Sequence, residues 1–338
     1  MLKRVRRDSS GLLSEEGLDI GLHHDILTMH GSPNESVGCV LSGTLNFNLV
    51  EPLKVKSISL KFIGKVKIDG SPEFARYEYE LIQHKWVFLE ASQDSYTMAP
   101  RSYSYDFELH LRGNLPESVV VNYGKIYYRL VAVVERPAFR FDIKKIKDVD
   151  IKRAPLFSTD SLLPPTMASG IWSENLAYHI SIPDITYTIG ESFPVVFNFC
   201  LLDPTFKIRE VSLILREFIL YNIEGSEPVS REYDISGTRR RCPGESELAW
   251  DGIIKLRIPR HTYSDCESKY ITVLHKFFVE IELEEANGDI RVLHVLLRVG
   301  IQSAIQSELS QSPPMYQPIT YSSGAPPPPY SCLDIVCA

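Results

Sequence analysis

The sequence predicts an all-β protein: two tandem β-sandwich domains followed by a proline-rich tail that does not fold by itself. Three observations carry this. Apolar and polar residues alternate with a period of two in stretches spread from Thr44 to Val299, the mark of half-buried strands in antiparallel sheets. A shift of 152 positions lays the first half of the chain on the second. From residue 302 onward the chain is rich in Pro, Ser, Gln and Tyr, carries Glu308 and Asp334 as its acidic residues, and has no Lys or Arg, too little apolar material to fold alone.

The alternation is explicit. Leu45, Phe47 and Leu49 point one way while Thr44, Asn46 and Asn48 point the other, and Ile58, Leu60 and Phe62 alternate with Ser57, Ser59 and Lys61. The pattern returns at Phe107, Leu109 and Leu111, and at Ile126, Tyr128, Leu130, Ala132 and Val134. Later in the chain it marks Val195, Phe197 and Phe199, then Val211, Leu213 and Leu215, then Phe277, Val279, Ile281 and Leu283, and residues 292–299. Short strands without long amphipathic helices argue for sandwiches.

The repeat places Val37-Gly38 on Ile189-Gly190 and Leu45, Phe47, Leu49 on Phe197, Phe199, Leu201. One inserted residue later, Leu53 to Phe62 matches Phe206 to Leu215, and further on Tyr128, Leu130, Ala132 and Val134 match Phe277, Val279, Ile281 and Leu283. A repeat this long means two domains rather than a solenoid. The boundaries expected are a leader over 1–24, a first domain over 25–152, a connector over 153–175, a second domain over 176–301 and a tail over 302–338.

At 338 residues with 44% hydrophobic content, the chain can bury two cores. A formal net charge of −7 gives no general attraction to nucleic acid. Cys39, Cys200, Cys242, Cys266, Cys332 and Cys337 are scattered without a C-x-x-C pair, so buried free thiols in a reducing compartment are expected, with no metal site. The leader starts with Lys3, Arg4, Arg6 and Arg7 but lacks the apolar run of a signal peptide, which points to a protein that is cytosolic or peripherally attached to a membrane. The one dense polar cluster, His23-His24-Asp25, reads as a solvated turn. No G-x-S-x-G, Walker or H-E-x-x-H pattern occurs, so neither an enzyme nor a cofactor is expected.

Particular stretches carry a family resemblance. Leu115-Pro-Glu-Ser-Val119, followed by Tyr123-Gly-Lys-Ile-Tyr-Tyr-Arg-Leu-Val-Ala132 and Glu135-Arg-Pro137, resembles the α-arrestins, the arrestin-related trafficking adaptors, and is nearer in character to their fungal members. Trp172, Leu176 to Ile182 and Tyr187-Thr-Ile-Gly-Glu191 resemble the start of the second domain of that family. At the start of the first domain, Ser32-Pro-Asn-Glu35 departs from the usual Pro-Gly turn of the family. The resemblance implies two arrestin-like, immunoglobulin-like sandwiches of seven strands joined by a short hinge. It also implies an adaptor that recognises cytosolic segments of membrane transporters or receptors.

The tail holds two PPxY strings, Pro313-Pro314-Met315-Tyr316 and Pro327-Pro328-Pro329-Tyr330. Paired prolines fix φ and pre-form a polyproline II turn, so docking into the aromatic groove of a WW domain loses little chain entropy. The tyrosine fills a second pocket, and Leu333 extends the later motif. The expected partner is a WW-domain ubiquitin ligase of the HECT type, which would ubiquitinate cargo or adaptor and promote endocytosis and sorting at the plasma membrane and endosomes. Tyr316 to Ile319 and Tyr330 to Leu333 also fit the tyrosine signal read by clathrin adaptors, which supports an alternative: a scaffold of endosomal or coat complexes without ligase recruitment.

Two further sets are singled out. Lys144, Lys145, Lys147 and Lys152 form the densest lysine cluster, and the last lysine of the chain is Lys276, so a ligase held on the tail must find its acceptor in the folded part or the leader. Arg239, Arg240 and Arg241, between Gly237 and Pro243, read as a basic loop able to touch anionic lipid, with a plain solvated loop as the competing reading.

Overall fold

The computed structural model describes residues 17–70, 76–91, 95–137, 140–154, 166–241 and 248–311. The first half contains β1 (Leu18–Leu22), β2 (Ile26–His30), β3 (Cys39–Asn48), β4 (Leu53–Val55), β5 (Ser57–Ile68), β6 (Tyr77–Leu89), β7 (Tyr96–Met98), β8 (Ser102–Leu111), β9 (Val119–Val121), β10 (Gly124–Glu135) and β11 (Ile143–Ala154). The second contains β12 (Thr166–Trp172), β13 (Leu176–Ile182), β14 (Thr186–Thr188), β15 (Ser192–Leu201), β16 (Phe206–Tyr221), β17 (Val229–Arg241), β18 (Ala249–Arg257), β19 (Ile271–Glu285) and β20 (Ile290–Gln302), and ends in α1 (Ala304–Gln311).

The two halves repeat one topology. In the first, a sheet ordered β1-β3-β8 faces a sheet ordered β2-β11-β10-β5-β6, with β9 beside β10. In the second, β13-β15-β18 faces β14-β20-β19-β16-β17, with β12 added outside β13. Even the exception recurs: β2 joins β11 in parallel and β14 joins β20 in parallel, while the other pairs are antiparallel. The duplication read from hydrophobic spacing is therefore a duplication of sheet order.

Each sandwich is closed by the alternating residues. Leu41, Leu45 and Phe47 of β3, Ile58, Leu60 and Phe62 of β5, and Ile126, Tyr128 and Leu130 of β10 are all buried in the first core. The Phe62 and Tyr128 rings stack 5.9 Å apart. Truncating Phe62 to Ala would remove about 3–5 kcal/mol of stability by the usual cavity cost. Opposite Tyr128 on β5 stands Gly64, where a Cβ would lie 2.5 Å from the tyrosine ring; only glycine leaves room. Phe193, Phe197, Phe199 and Phe277 do the same work in the second core, with Trp250 stacked 5.5 Å from Phe199.

The sandwiches also share buried surface. Ile219, Tyr221, Tyr270, Ile271 and Val273 of the second half belong to the first core. The Tyr123 backbone N–H donates to Tyr221 Oη at 3.4 Å, Tyr263 Oη donates to Asn122 Oδ1 at 2.9 Å, and the Tyr79 and Tyr270 rings lie 5.5 Å apart.

Several boundaries move. The leader expected over 1–24 ends in β1, whose Leu18 and Ile20 are buried against β3; Asp19 and the flanking glycines hid a short strand. The connector expected over 153–175 contains the end of β11 and all of β12, which pairs with β13 from Thr166 to Trp172. Small residues at 168–170 carry little alternation, so that strand is held by its backbone hydrogen bonds. The tail expected from 302 begins with α1. The repeat also changes register: Leu130 pairs with Phe62 and Phe277 with Leu215, so Leu130 corresponds to Phe277 and Tyr128 to His275. A slip of two residues keeps every side chain on its face, which is why hydrophobic spacing could not detect it.

Of the thiols in described residues, Cys266 is buried, Cys39 half-buried and Cys200 exposed. Cys200 thus departs from the expected buried set because it points outward from β15. Cys242, Cys332 and Cys337 lie outside the described residues. His23, His24 and Asp25 form an exposed bend between β1 and β2.

Candidate functional site

The motif residues Pro313, Pro314, Tyr316, Pro327, Pro328, Tyr330 and Leu333 lie outside the described residues. The structure does describe the segment that leads to them. Ser303 caps α1: its Oγ accepts from the Gln306 N–H at 3.2 Å, while its own N–H and hydroxyl donate to Gln306 Oε1 at 3.1 Å each. This reciprocal S-x-x-Q box satisfies donors that a helix start otherwise leaves open.

The other end of the same amide crosses to the first sandwich. Gln306 Nε2 donates to Glu117 Oε2 at 3.2 Å, and both residues are 8% exposed. The Arg153 N–H donates to the same carboxylate oxygen at 3.4 Å. Burial pushes the Glu117 carboxyl up to about 7, against the pull of Lys152 and Arg153. Glu117 sits in the stretch that carried the family resemblance, and the structure gives its neighbours physical roles. The Pro116 carbonyl accepts from Tyr128 Oη at 2.6 Å, and Ser118 exchanges hydrogen bonds with the Ile151 backbone at 2.8 and 3.0 Å. Arg153 ties the end of the sandwich together by donating to the carbonyls of Gly31, Gly113 and Leu115. Glu117, Arg153 and Gln306, with Asp265 and Arg298 of the second sandwich, line a cavity of about 650 Å³ at the junction.

Near it lies a second buried polar group. His275 of β19 is 1% exposed, its Nδ1 bonded to Asp265 and its Nε2 3.3 Å from Glu217 Oε2. Glu217 also accepts from the Tyr263 N–H at 3.1 Å. Burial alone lowers the His275 pKa, but its hydrogen bonds to the two carboxylates outweigh this and leave it raised. Burial raises Asp265, against the hydrogen bond from His275. With a carboxylate at each ring nitrogen, the protonated imidazole can donate in both directions.

The lysine cluster lies on β11. Lys144 is exposed, whereas Lys145, Lys147 and Lys152 are half-buried. Lys147 Nζ stands 4.0 Å from Asp25, and Lys152 Nζ lies 3.3 Å from the Ser118 carbonyl and 3.7 Å from Asp150. Ile146, between Lys145 and Lys147, is 57% exposed. Lys145 and Lys147 share the face of Val149 and Ile151, on the stretch of β11 before its pairing with β2 begins at Asp150.

Arg239, Arg240 and Arg241 do not form a loop; they end strand β17, paired with Ser212, Val211 and Glu210. Gly237 and Pro243 suggested a turn, but β16 is long enough to hold the arginines in register. Arg239 and Arg241 are exposed and lie 3.8 and 3.7 Å from Glu210, while Arg240 sits over the Trp250 ring at 5.7 Å. The three cations are thus split between two faces of one edge strand.

Sequence reasoning missed Glu117, Gln306, Asp265, His275 and Glu217. The signals were present. His275 and Glu217 each interrupt an inward apolar series, Val273-x-His275-x-Phe277 and Leu215-x-Glu217-x-Ile219, and Ser303-x-x-Gln306 is a capping-box string.

Among described residues, no cluster of His, Cys, Asp and Glu could hold a metal ion, and no helix is long and apolar enough to cross a membrane. Comparison with known proteins agrees with the fold. Residues 172–301 match the C-terminal domain of arrestin, or S-antigen. An arrestin domain-containing protein of Schizosaccharomyces pombe is 25% identical over 83% of this chain and 50% of its own length. A protein of Aspergillus oryzae named for interaction with a HECT-type ubiquitin ligase is 26% identical over 88% of this chain and 58% of its own. A second S. pombe protein, named as an arrestin-related trafficking adapter, is 27% identical over 59% and 46%. The chain therefore spans about half the length of the curated relatives it matches.

Proposed function

We propose, from the match of residues 172–301 to the C-terminal domain of arrestin and the likeness to arrestin domain-containing proteins, that this chain is a non-catalytic adaptor of the arrestin type joining membrane-protein cargo to a WW-domain ubiquitin ligase of the HECT type. The observation that carries the reading is the pair of PPxY strings, Pro313 to Tyr316 and Pro327 to Tyr330, on a chain segment that leaves a folded double sandwich. The names of the relatives, one for ligase interaction and one for trafficking, support it. The sandwiches recognise cytosolic segments of transporters or receptors. The ligase, held through its WW domains, ubiquitinates cargo, adaptor or both, and cargo enters endocytosis and sorting. The adaptor works in the cytoplasm and is recruited to the plasma membrane and endosomes.

The experiment is a binding array of WW domains probed with the full chain and with the Tyr316→Ala/Tyr330→Ala variant. Binding by the first and none by the second is the expected result. Undiminished binding of the double variant overturns the ligase reading. Binding to clathrin adaptors that depends on the same tyrosines, without any WW partner, favours the alternative built on Tyr316 to Ile319 and Tyr330 to Leu333.

A further inference from the structure

The outer face of the larger sheet in the first sandwich carries charges that the fold leaves unpaired. Val133 of β10 stands between Lys144 of β11 and Ser59 of β5, with Val87 of β6 next in the row. In the neighbouring row Val131 stands between Ile146 and Lys61, and Lys61 lies directly opposite Lys85. Like charges opposite each other in a sheet cost stability. Among the described residues, the amines of Lys61, Lys85 and Lys144 make no ion pair or hydrogen bond. The carboxylates beside these rows are already engaged: Asp148 with Arg129 at 2.6 Å, Glu135 with the Ser57 hydroxyl at 2.7 Å, and Asp142 with the Arg136 N–H at 3.3 Å.

Apolar side chains of the same rows reach solvent. Ile146 is 57% and Val87 49% exposed, and Val131 and Val133 are half-buried between the lysines. Where the rows end, the turn from β10 to β11 presents Phe141 at 92% exposure, with the exposed Arg140 beside it. The turn is held from within. The Arg136 guanidinium donates to the Phe141 carbonyl at 3.5 Å, and the Arg140 N–H donates to the Pro137 carbonyl at 3.2 Å. These bonds fix the Phe141 backbone while its ring stays in solvent.

Lysine stems laid along an apolar surface, next to an aromatic ring projecting from a fixed turn, suit the interface of a bilayer. The ammonium groups and Arg140 complement anionic headgroups, and the Phe141 ring suits the acyl boundary beneath them. An acidic protein surface would complement the lysines but not a ring that projects beyond the face. We propose that this corner of the first sandwich, formed by Lys61, Lys85, Lys144, Arg140 and Phe141 with the valines between them, rests on an anionic lipid bilayer. β10 runs from Gly124, next to the Tyr123 contact with Tyr221, to Glu135 at this turn, a length of about 40 Å. Seating the corner on lipid therefore leaves the junction between the sandwiches clear of the membrane. The contact is separate from the arginines of β17, and it holds whether or not the PPxY strings take a WW domain.

The test is co-flotation of the full chain with phosphatidylcholine vesicles, with and without phosphatidylserine, in the Arg239→Ala/Arg241→Ala background so that β17 does not contribute. Binding requires phosphatidylserine and weakens as salt is added. Each lysine near the surface is worth roughly fivefold in partitioning, so Lys61→Gln/Lys85→Gln lowers it about thirtyfold. The melting temperature of that variant is no lower than the parent's, because a repulsive pair is removed. Phe141→Ser lowers partitioning about tenfold at an unchanged melting temperature. Phe141→Trp keeps binding, and its emission, read as the difference from a parent that already holds Trp86, Trp172 and Trp250, shifts to the blue with phosphatidylserine vesicles. Equal binding with and without phosphatidylserine overturns the proposal, as does binding unchanged by the lysine and Phe141 variants. An emission that vesicles do not shift overturns it too. Capture of poly-glutamate through the same lysines, without vesicle binding, overturns it in favour of an acidic protein partner.

Discussion

His275 stands in the second sandwich where Tyr128 stands in the first. Each lies on the central strand of its larger sheet, directly opposite Gly64 or Glu217 on the neighbouring strand. Both are 1% exposed. In the first sandwich the pair is a ring over a glycine, with the phenol bonded to the Pro116 carbonyl. In the second it is an imidazole between Glu217 and Asp265. One repeat filled this place with an aromatic and the other with a charged group that joins β16, β19 and the Asp265 segment.

That difference predicts unequal costs. Tyr128→Phe leaves one buried carbonyl unpaired, about 1–3 kcal/mol. His275→Ala leaves two carboxylates without their shared partner, about 3–5 kcal/mol. Because the His275 pKa is raised, its stabilisation is fully present below its ordinary value of 6.5 and is lost as pH rises through the higher folded value. Urea denaturation of the wild-type chain and of the two variants from pH 5 to pH 9 checks both statements. A loss from His275→Ala no larger at pH 5 than at pH 9 would contradict the charged pairing.

Glu117 gives a second titration of opposite chemistry. Its carboxyl is raised from 4.5 to about 7, so the folded state holds a proton that the unfolded state has released. Stability from this group therefore falls as pH climbs from 4.5 to 7. Glu117→Gln keeps an acceptor for Gln306 but cannot ionise. The stability difference between variant and wild type should shift in favour of the variant by up to about 3 kcal/mol over that window. Parallel pH profiles of the two proteins would show the assignment to be wrong.

The binding motifs predict a loss without unfolding. Tyr316→Ala/Tyr330→Ala should abolish WW binding at an unchanged melting temperature. Each single change should weaken binding to a tandem WW pair by more than the twofold of simple site counting, since the second contact becomes intramolecular. Surface plasmon resonance on single and tandem WW domains distinguishes the two.

The basic strand end predicts a graded effect on membranes. All three arginines are exposed; Arg239 and Arg241 lie near Glu210, and Arg240 lies over the Trp250 ring. If this edge meets anionic lipid, each arginine close to the surface contributes about 1 kcal/mol, so Arg239→Ala/Arg241→Ala, on one face, should lower flotation with acidic liposomes, and Arg240→Ala, on the other face beside Trp250, should matter less. Equal flotation with neutral and acidic liposomes removes the lipid role.

What the sequence displayed, and what it hid, follows from period two. Leu60, Phe62, Leu130 and Phe277 announce which face is inward because alternation is local. Pairing register is not local. The slip that sets Tyr128 against His275 changes no face, so only backbone hydrogen bonds reveal it. β12 was hidden for a related reason, since Ala168, Ser169 and Gly170 offer no contrast between faces. Glu117 and Gln306 are distant in sequence, and no periodicity links them. The strings at Pro313 and Pro327 are read from the sequence alone and lie outside the described residues.

The last prediction orders the acceptor lysines. Residues 277–338 hold no lysine, so on the adaptor reading a ligase bound at the PPxY strings would find its nearest acceptors in the folded part or the leader. α1 delivers the start of the tail to β11, the strand that carries Lys144, Lys145, Lys147 and Lys152. Their availability differs. Lys144 is exposed, Lys147 has 44% of its side chain accessible, and Lys152 has 22% and donates to the Ser118 carbonyl. An amine must be free of hydrogen-bond partners and reach solvent to attack a ligase thioester. Lys144 should therefore be modified first, Lys147 next and Lys152 least. Lys144→Arg should reduce total modification most among single changes, because arginine keeps the charge but offers no acceptor amine. Mass-spectrometric mapping after reaction with a WW-bearing ligase gives the order directly. Modification of Lys152 ahead of Lys144, or confinement to Lys54, Lys56 and Lys61 on β4, β5 and the residue between them, would refute it.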